Sequence, residues 1–315
     1  MVIIMSPALS DSASGNELNK LIARCDFLEL TASDKAFPNS KGTGLPILRV
    51  NAPLCDALIA LQGAHLLHFH AHGGNSLLWV SPNCDFTPGV ALRGGIPICL
   101  PWFGPNASDP KKPKHGFARN REWQLSDATL SGDNSVELLF SFASDANELF
   151  NFNFTAQLRM TLGNNIKLEI SIHNTDTTAF DCSWVLHTYY PVGSLQDVRV
   201  LGLSNRTYLD NLENHAAKNQ QGDVHFAGEV DRVYPAIDNS VTIAGKPAIN
   251  ITHHNCPSVV VWNPGATNAT RIADIGAGNE QHYICVERGA VLSEKWNLAA
   301  GERQSAWMEI NEAAL

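Results

Sequence analysis

The segments Val136-Glu137-Leu138-Leu139-Phe140-Ser141-Phe142, Phe152-Asn153-Phe154-Thr155-Ala156-Gln157-Leu158-Arg159-Met160 and Ile166-Lys167-Leu168-Glu169-Ile170-Ser171-Ile172 decide the fold class. Each alternates apolar and polar residues, or runs apolar, over the length of a strand. Gly132-Asp133-Asn134 and Gly163-Asn164-Asn165 read as the hairpin turns between them. Leu48-Arg49-Val50, Leu58-Ile59, Ser258-Val259-Val260-Val261-Trp262 and Trp307-Met308-Glu309-Ile310 carry the strand pattern outward to both ends of the chain. No long stretch repeats apolar residues with a 3.6-residue period, and only a short helix is expected, over Asn16 to Arg24. Short strands with regular turns predict an all-β protein, a sandwich or barrel. The polar run Asn211 to Asp223 reads as a long loop. Gly42-Thr43-Gly44 and Gly73-Gly74-Asn75 read as turns, because no phosphate-loop or dinucleotide pattern surrounds them.

The chain has 315 residues, 44% hydrophobic and 17% charged, the balance of a globular protein able to bury a sizeable core. Residues 1–22 are expected to be a variable N-terminal extension and 23–315 a single domain. The net charge of −9 argues against general nucleic-acid binding, which needs basic surface, but leaves room for a local basic pocket. The seven cysteines are scattered without a CxxC pair, which points to reduced, mostly buried thiols and a cytoplasmic setting rather than a disulfide framework. Met1-Val2-Ile3-Ile4-Met5 is apolar but too short for a membrane span or a signal segment. No membrane partner is expected, and a monomer is compatible with the sequence.

A second stretch carries the chemistry. Arg93-Gly94-Gly95-Ile96-Pro97-Ile98-Cys99-Leu100-Pro101-Trp102-Phe103-Gly104-Pro105 is followed by Lys114-His115-Gly116-Phe117-Ala118-Arg119. The prolines make a stiff, irregular loop, and long irregular loops in compact domains are usually functional. Arg93 and Arg119 stand beside glycines, which are expected to let backbone approach a ligand. Guanidinium groups recognise phosphate or carboxylate bidentately. The residues alone fit either a pocket for a small anion or two surface arginines in a tight loop.

These two segments resemble the signature of the hexose-6-phosphate mutarotases, the glucose-6-phosphate 1-epimerase branch of the galactose-mutarotase-like superfamily. Other segments match in order from about Leu45 to the C-terminus. They are Gly63-Ala64-His65, Leu78-Trp79-Val80-Ser81-Pro82, Leu186-His187-Thr188-Tyr189-Tyr190, Glu229-Val230-Asp231-Arg232-Val233-Tyr234, Val261-Trp262-Asn263-Pro264 and Ile284-Cys285-Val286-Glu287. The resemblance implies a large antiparallel β-sandwich of the supersandwich type with its sugar site on a concave face. It implies His187 and Glu287 as catalytic acid and base, Asp231 as a binder of sugar hydroxyls, and Arg93 and Arg119 as ligands of the 6-phosphate. Lys114 stands where some relatives carry an amide side chain. It either reinforces phosphate binding or points to solvent.

The residue types suit the implied reaction. Anomerising a pyranose needs a proton taken from O1 and a proton given to the ring oxygen. The ring then opens, the C1–C2 bond rotates, and closure reverses both transfers. A carboxylate and an imidazole perform this without metal or organic cofactor. The resemblance assigns Glu287 to O1 as base and protonated His187 to the ring oxygen as acid. Read without it, His187 is a hydrogen-bonded core histidine sharing a strand face with Val185 and Tyr189. Glu287 is then a strand-end carboxylate facing solvent and Asp231 a surface partner of a neighbouring arginine; His115 packs the loop or adds a hydrogen-bond donor.

His65, His68, His70 and His72 invite a zinc or copper reading, since histidines at i and i+2 share a strand face. No cysteine or carboxylate follows closely enough to complete a local site, so no metal is expected. His253, His254 and His282 read as surface or packing residues. The expected activity is interconversion of the anomers of a hexose 6-phosphate, glucose 6-phosphate first. The rivals are an aldose 1-epimerase of unphosphorylated sugars, a non-catalytic sugar-phosphate sensor on the same fold, and a lyase or glycoside hydrolase. The last normally needs two carboxylates flanking the bond.

Overall fold

The computed structural model of the chain describes residues 13–313. The strand expectation holds throughout. Val136–Ser144, Phe154–Leu162 and Ile166–Asn174 are three successive antiparallel strands. Val136, Leu138 and Phe140 are buried, as are Phe154 to Leu162 and Ile166 to Ile172 at every second position. The two-residue period of the sequence is thus the record of one buried sheet face. Gly163 closes its hairpin, its N–H donating to the Asn165 carbonyl at 3.1 Å.

These strands belong to an eight-stranded antiparallel sheet in the order 199–201, 241–244, 249–254, 303–312, 166–174, 154–162, 136–144 and 124–130. A second eight-stranded sheet runs 216–219, 207–210, 230–234, 258–263, 283–290, 184–186 and 98–99, with Tyr189–Pro191 also paired to Tyr283–Ala290. One apolar cluster joins the inner faces of both, including Leu138, Phe140, Met160 and Ile170 from the first and Trp184, Leu186, Val261 and Val286 from the second. Burying each such side chain contributes about 1.5–3 kcal/mol. A four-stranded sheet, Leu28–Ala32 through His65–Ala71, shares this cluster through Val50, Ile59 and Phe69.

The N-terminal helix spans Ala13–Ile22 and sets Leu18 into the main core. Residues 13–22 of the expected extension therefore pack on the sandwich, while 1–12 lie outside the described residues. The polar run from Asn211 is not the loop it reads as. After a short turn at Asn211–Glu213, Ala216–Asn219 pairs with Thr207–Asp210. Asn214 and His215 take left-handed backbone to make the reversal. Edge strands need no buried face, so a polar sequence can form one. All seven cysteines are free; six are buried and Cys25 half-buried. No helix among the described residues is long and apolar enough to cross a membrane.

Candidate active site

The strand Tyr283–Ala290 is buried along its whole length, so each face meets something different. Ile284 and Val286 enter the main core, while Tyr283, Cys285 and Glu287 point to the other face. Across the ladder, Glu287 pairs with Val260 and Cys285 with Trp262. The next strand brings Asp231 opposite Trp262. That face is the floor of a cleft of about 340 Å³, lined by Arg93, Lys114, His187, Asp231, Trp262 and Glu287 among others.

His187 lies at a break in its strand. Trp184–Leu186 ends there and Tyr189–Pro191 resumes, with the Thr188 N–H turned back to the Leu186 carbonyl at 2.9 Å. The loop strand alongside captures the released backbone. His187 N–H donates to the Pro97 carbonyl and Tyr189 N–H to the Gly95 carbonyl, both at 2.9 Å. The His187 and Tyr189 rings stack at 4.9 Å and 5°, as the shared face predicts. The Trp262 ring meets the imidazole edge-on at 5.9 Å. These rings hold the imidazole so that Nδ1 lies 3.3 Å from Glu287 Oε1.

Glu287 is 1% exposed and His187 6%. Burial drives the Glu287 carboxyl well above its usual range, helped by the Asp231 charge and opposed by Arg119. Burial also drives the His187 imidazole well below its usual range, helped by His115, Arg119 and Arg93. Both shifts favour neutral forms, as a low-dielectric site must. Burial therefore opposes a separated carboxylate and imidazolium in the cleft. The carboxylate and imidazolium that the resemblance implies have the same proton count as the neutral pair.

Asp231 faces the cleft and is not paired with an arginine. Asn211 Nδ2 donates to its Oδ1 at 2.7 Å, and burial still pushes its carboxyl up to about 6. The neighbouring Arg232 leaves by the opposite face, bonding Gln220 Oε1 at 2.8 Å and covering the Tyr208 ring. Strand alternation separates the two charges.

The basic residues divide into three situations. Arg93 lines the cleft but is already held, Nε by Asp274 Oδ2 at 3.1 Å and a terminal nitrogen by the Tyr189 hydroxyl at 2.9 Å. Lys114 sits exposed at the rim, and among the described residues no carboxylate pairs with its ammonium. Arg119 is not among the lining residues. It donates to the Lys114 carbonyl at 3.1 Å and acts on His187 and Glu287 through its charge. The glycines beside the arginines pack tightly against the protein's own backbone. A Cβ on Gly95 would lie 2.3 Å from the Leu66 carbonyl oxygen, and one on Gly116 2.0 Å from that of Leu100. Their left-handed backbone serves the protein's own close packing.

His115 both packs the loop and lines the cleft. Its backbone N–H donates to the Gly104 carbonyl at 2.8 Å, and its Nδ1 accepts from the Gly104 N–H at 3.2 Å. That bond places its proton on Nε2. Burial, with Arg119, Arg93 and Lys114 nearby, lowers it to about 3, so it lines the cleft as a neutral donor. Sequence reasoning missed Asn211 and Asp274, which carry no local pattern. His65 is buried and bonds the Gly94 carbonyl at 2.7 Å, steadying the Arg93 loop. His72 instead reaches Asp56, and the His68–His72 side chains assemble no three-ligand group. The grouping of that kind among the described residues is His187, Cys285 and Glu287, whose ligand atoms all lie within 4.8 Å of one another.

Residues 46–311 match the family described as Aldose 1-epimerase. A protein of Salmonella typhimurium provisionally named glucose-6-phosphate 1-epimerase is 36% identical over 252 residues, covering 77% of this chain and 82% of that one. Its provisionally named counterpart in Escherichia coli is 34% identical over 251 residues, covering 77% and 82%. The crystal structure of a provisionally named mutarotase from Salmonella typhimurium superposes with a TM-score of 0.78 at 32% identity, over 85% of this chain and 90% of that one.

Proposed function

This chain belongs to the aldose 1-epimerase family, and from that premise we propose that it interconverts the α and β anomers of a hexose 6-phosphate, glucose 6-phosphate first. The observation that carries the reading is the His187–Glu287 contact of 3.3 Å on the floor of a cleft, with the unpaired Lys114 ammonium at its rim. The pair holds one proton and one open acceptor. Glu287 takes the O1 proton and His187 gives a proton to the ring oxygen; after rotation about C1–C2 the two transfers reverse. Asp231 accepts from sugar hydroxyls, Trp262 provides an apolar wall, and His115 donates from Nε2. No atom of the sugar is lost or gained, and no electron is transferred.

The phosphate has a second task in this reading. Arg93 and Arg119 are among the charges that keep His187 neutral. A phosphate dianion between Arg93 and Lys114 offsets that field and favours the imidazolium. The proton then passes from Glu287 to His187 across their contact, which sets the polarity the reaction needs.

Anomer exchange measured by NMR on glucose 6-phosphate and on glucose tests the reading. Faster exchange of the phosphorylated sugar is expected. A preference for free glucose replaces it with the second reading, an aldose 1-epimerase of unphosphorylated sugars. The observation favouring that alternative is the Arg93–Asp274 ion pair, which already partners one cation of the cleft.

A further inference from the structure

We propose that His187 Nδ1, Cys285 Sγ and a Glu287 carboxylate oxygen form a reversible inhibitory site for a thiophilic divalent cation, with zinc as its representative. Cys285 and Glu287 are two apart on one strand and share its face; Glu287 lines the cleft, and Cys285 lies fully buried beside it. His187 comes from the chain that pairs with that strand on either side of the break, Leu186 opposite Arg288 and Tyr189 opposite Cys285. The three ligand atoms lie within 4.8 Å of one another. Small side-chain rotations close that triangle onto an ion, for which bonds of about 2.0–2.3 Å are usual.

The donor set selects the ion. A thiolate, an imidazole and a carboxylate together suit zinc, whereas magnesium and calcium prefer oxygen alone. Three protein ligands leave a fourth position directed into the cleft, where water completes a tetrahedron. Two of the orphaned buried atoms of the site, His187 Nδ1 and Glu287 Oε2, gain a partner in this way. Binding displaces the thiol proton and the proton of the acid–base pair to solvent. A Zn–S, a Zn–N and a Zn–O bond form, and nothing is oxidised or reduced.

Occupation removes both proton-transfer groups at once, so the cation acts as an inhibitor competing with the sugar. This consequence rests on the proposed function; the binding itself does not. The two are tested separately. Cobalt(II) titrated anaerobically into the whole protein should give a sulfur-to-cobalt charge-transfer absorption that zinc abolishes. Cys285→Ala, or Cys285→Ser should the alanine variant not fold, should lack the absorption. Cys25→Ala, which removes the half-buried thiol, should keep it. Absence of the band in the wild type, or its survival in the Cys285 variant, overturns the site. In the turnover assay, zinc should slow anomer exchange, glucose 6-phosphate should protect, and a chelator should restore the rate. The Cys285 variant should need at least about tenfold more zinc for the same inhibition, which corresponds to about 1.4 kcal/mol of lost binding. Zinc that raises the rate overturns the inhibitory role, while the cobalt spectrum still reports on the site.

Discussion

Arg93 Nε donates to Asp274 Oδ2 across 181 residues of sequence, at 3.1 Å, while the Tyr189 hydroxyl accepts from the same guanidinium at 2.9 Å. An arginine bears five N–H donors in a fixed fork. Two anchors therefore orient the group and leave the remaining donors for a ligand. Held this way, the guanidinium loses little freedom on binding a phosphate.

Lys114 and Arg93 should separate the phosphorylated from the free sugar. A hydrogen bond to a charged group contributes about 1.5–3 kcal/mol. Lys114→Ala and Arg93→Ala should each lower kcat/KM for glucose 6-phosphate by roughly 10–150-fold. Exchange of glucose should change much less. Equal losses on both sugars would remove that residue from phosphate recognition. Arg119→Ala should instead act on kcat through the field at His187 and Glu287, with a smaller effect on KM.

The acid–base pair should be indispensable. His187→Ala and Glu287→Gln should each slow anomer exchange by at least about a hundredfold. The second change preserves shape, so near-ultraviolet circular dichroism should stay native. A folded variant that turns over near the wild-type rate would place the chemistry elsewhere.

The pH dependence follows from the directions of the two shifts. The pair works with one proton. Acid inactivates when a second proton reaches His187, whose folded value lies well below 6.5. Alkali inactivates when the shared proton leaves, and Glu287 holds it well above 4.5. These shifts belong to the unliganded pair, so the profile of kcat/KM should stay flat through pH 6.5 and fall only at lower pH. Measuring it with free glucose keeps a substrate phosphate's own ionisation, near pH ~6, out of the slope. An acid limb centred at 6.5 would mean an ordinary, solvated histidine.

Separating the phosphate from the sugar tests its proposed effect on His187. Inorganic phosphite added to a glucose exchange assay should raise kcat for glucose in the wild type. The rise should vanish in Lys114→Ala. Inhibition or no response would show that the anion contributes anchoring alone.

The glycine at 116 offers a stability test. Its φ is +68°, and an added Cβ would stand 2.0 Å from the Leu100 carbonyl oxygen. Backbone cannot yield there without moving the His115 segment. Gly116→Ala should destabilise the fold by more than about 1 kcal/mol, visible as a lower denaturation midpoint in urea at unchanged slope.

The sequence by itself determined the strands, because one-sided burial writes a two-residue period wherever a strand lies, as Ile166 to Asn174 shows. It also named His187, Glu287, Asp231 and Arg93 through segments that match in order, and Lys114 as a departure within one of them, and the structure brings these five to one cleft. What only the tertiary structure decided is everything set by pairing between distant strands. The sheet register puts Cys285 beside His187 and Glu287, while the packing of turns against the sheet puts Asp274 onto Arg93, Asn211 onto Asp231, and Arg119 outside the cleft lining. The tertiary structure also set Gly95 and Gly116 against the protein's own carbonyls and buried His187 and Glu287 deeply enough to favour their neutral forms. The physical reason is common to all of these. Periodicity records how each residue faces its nearest layer, a local property. Contact distance, burial and electrostatic field are sums over residues that the chain brings together only by folding, and no local pattern encodes them.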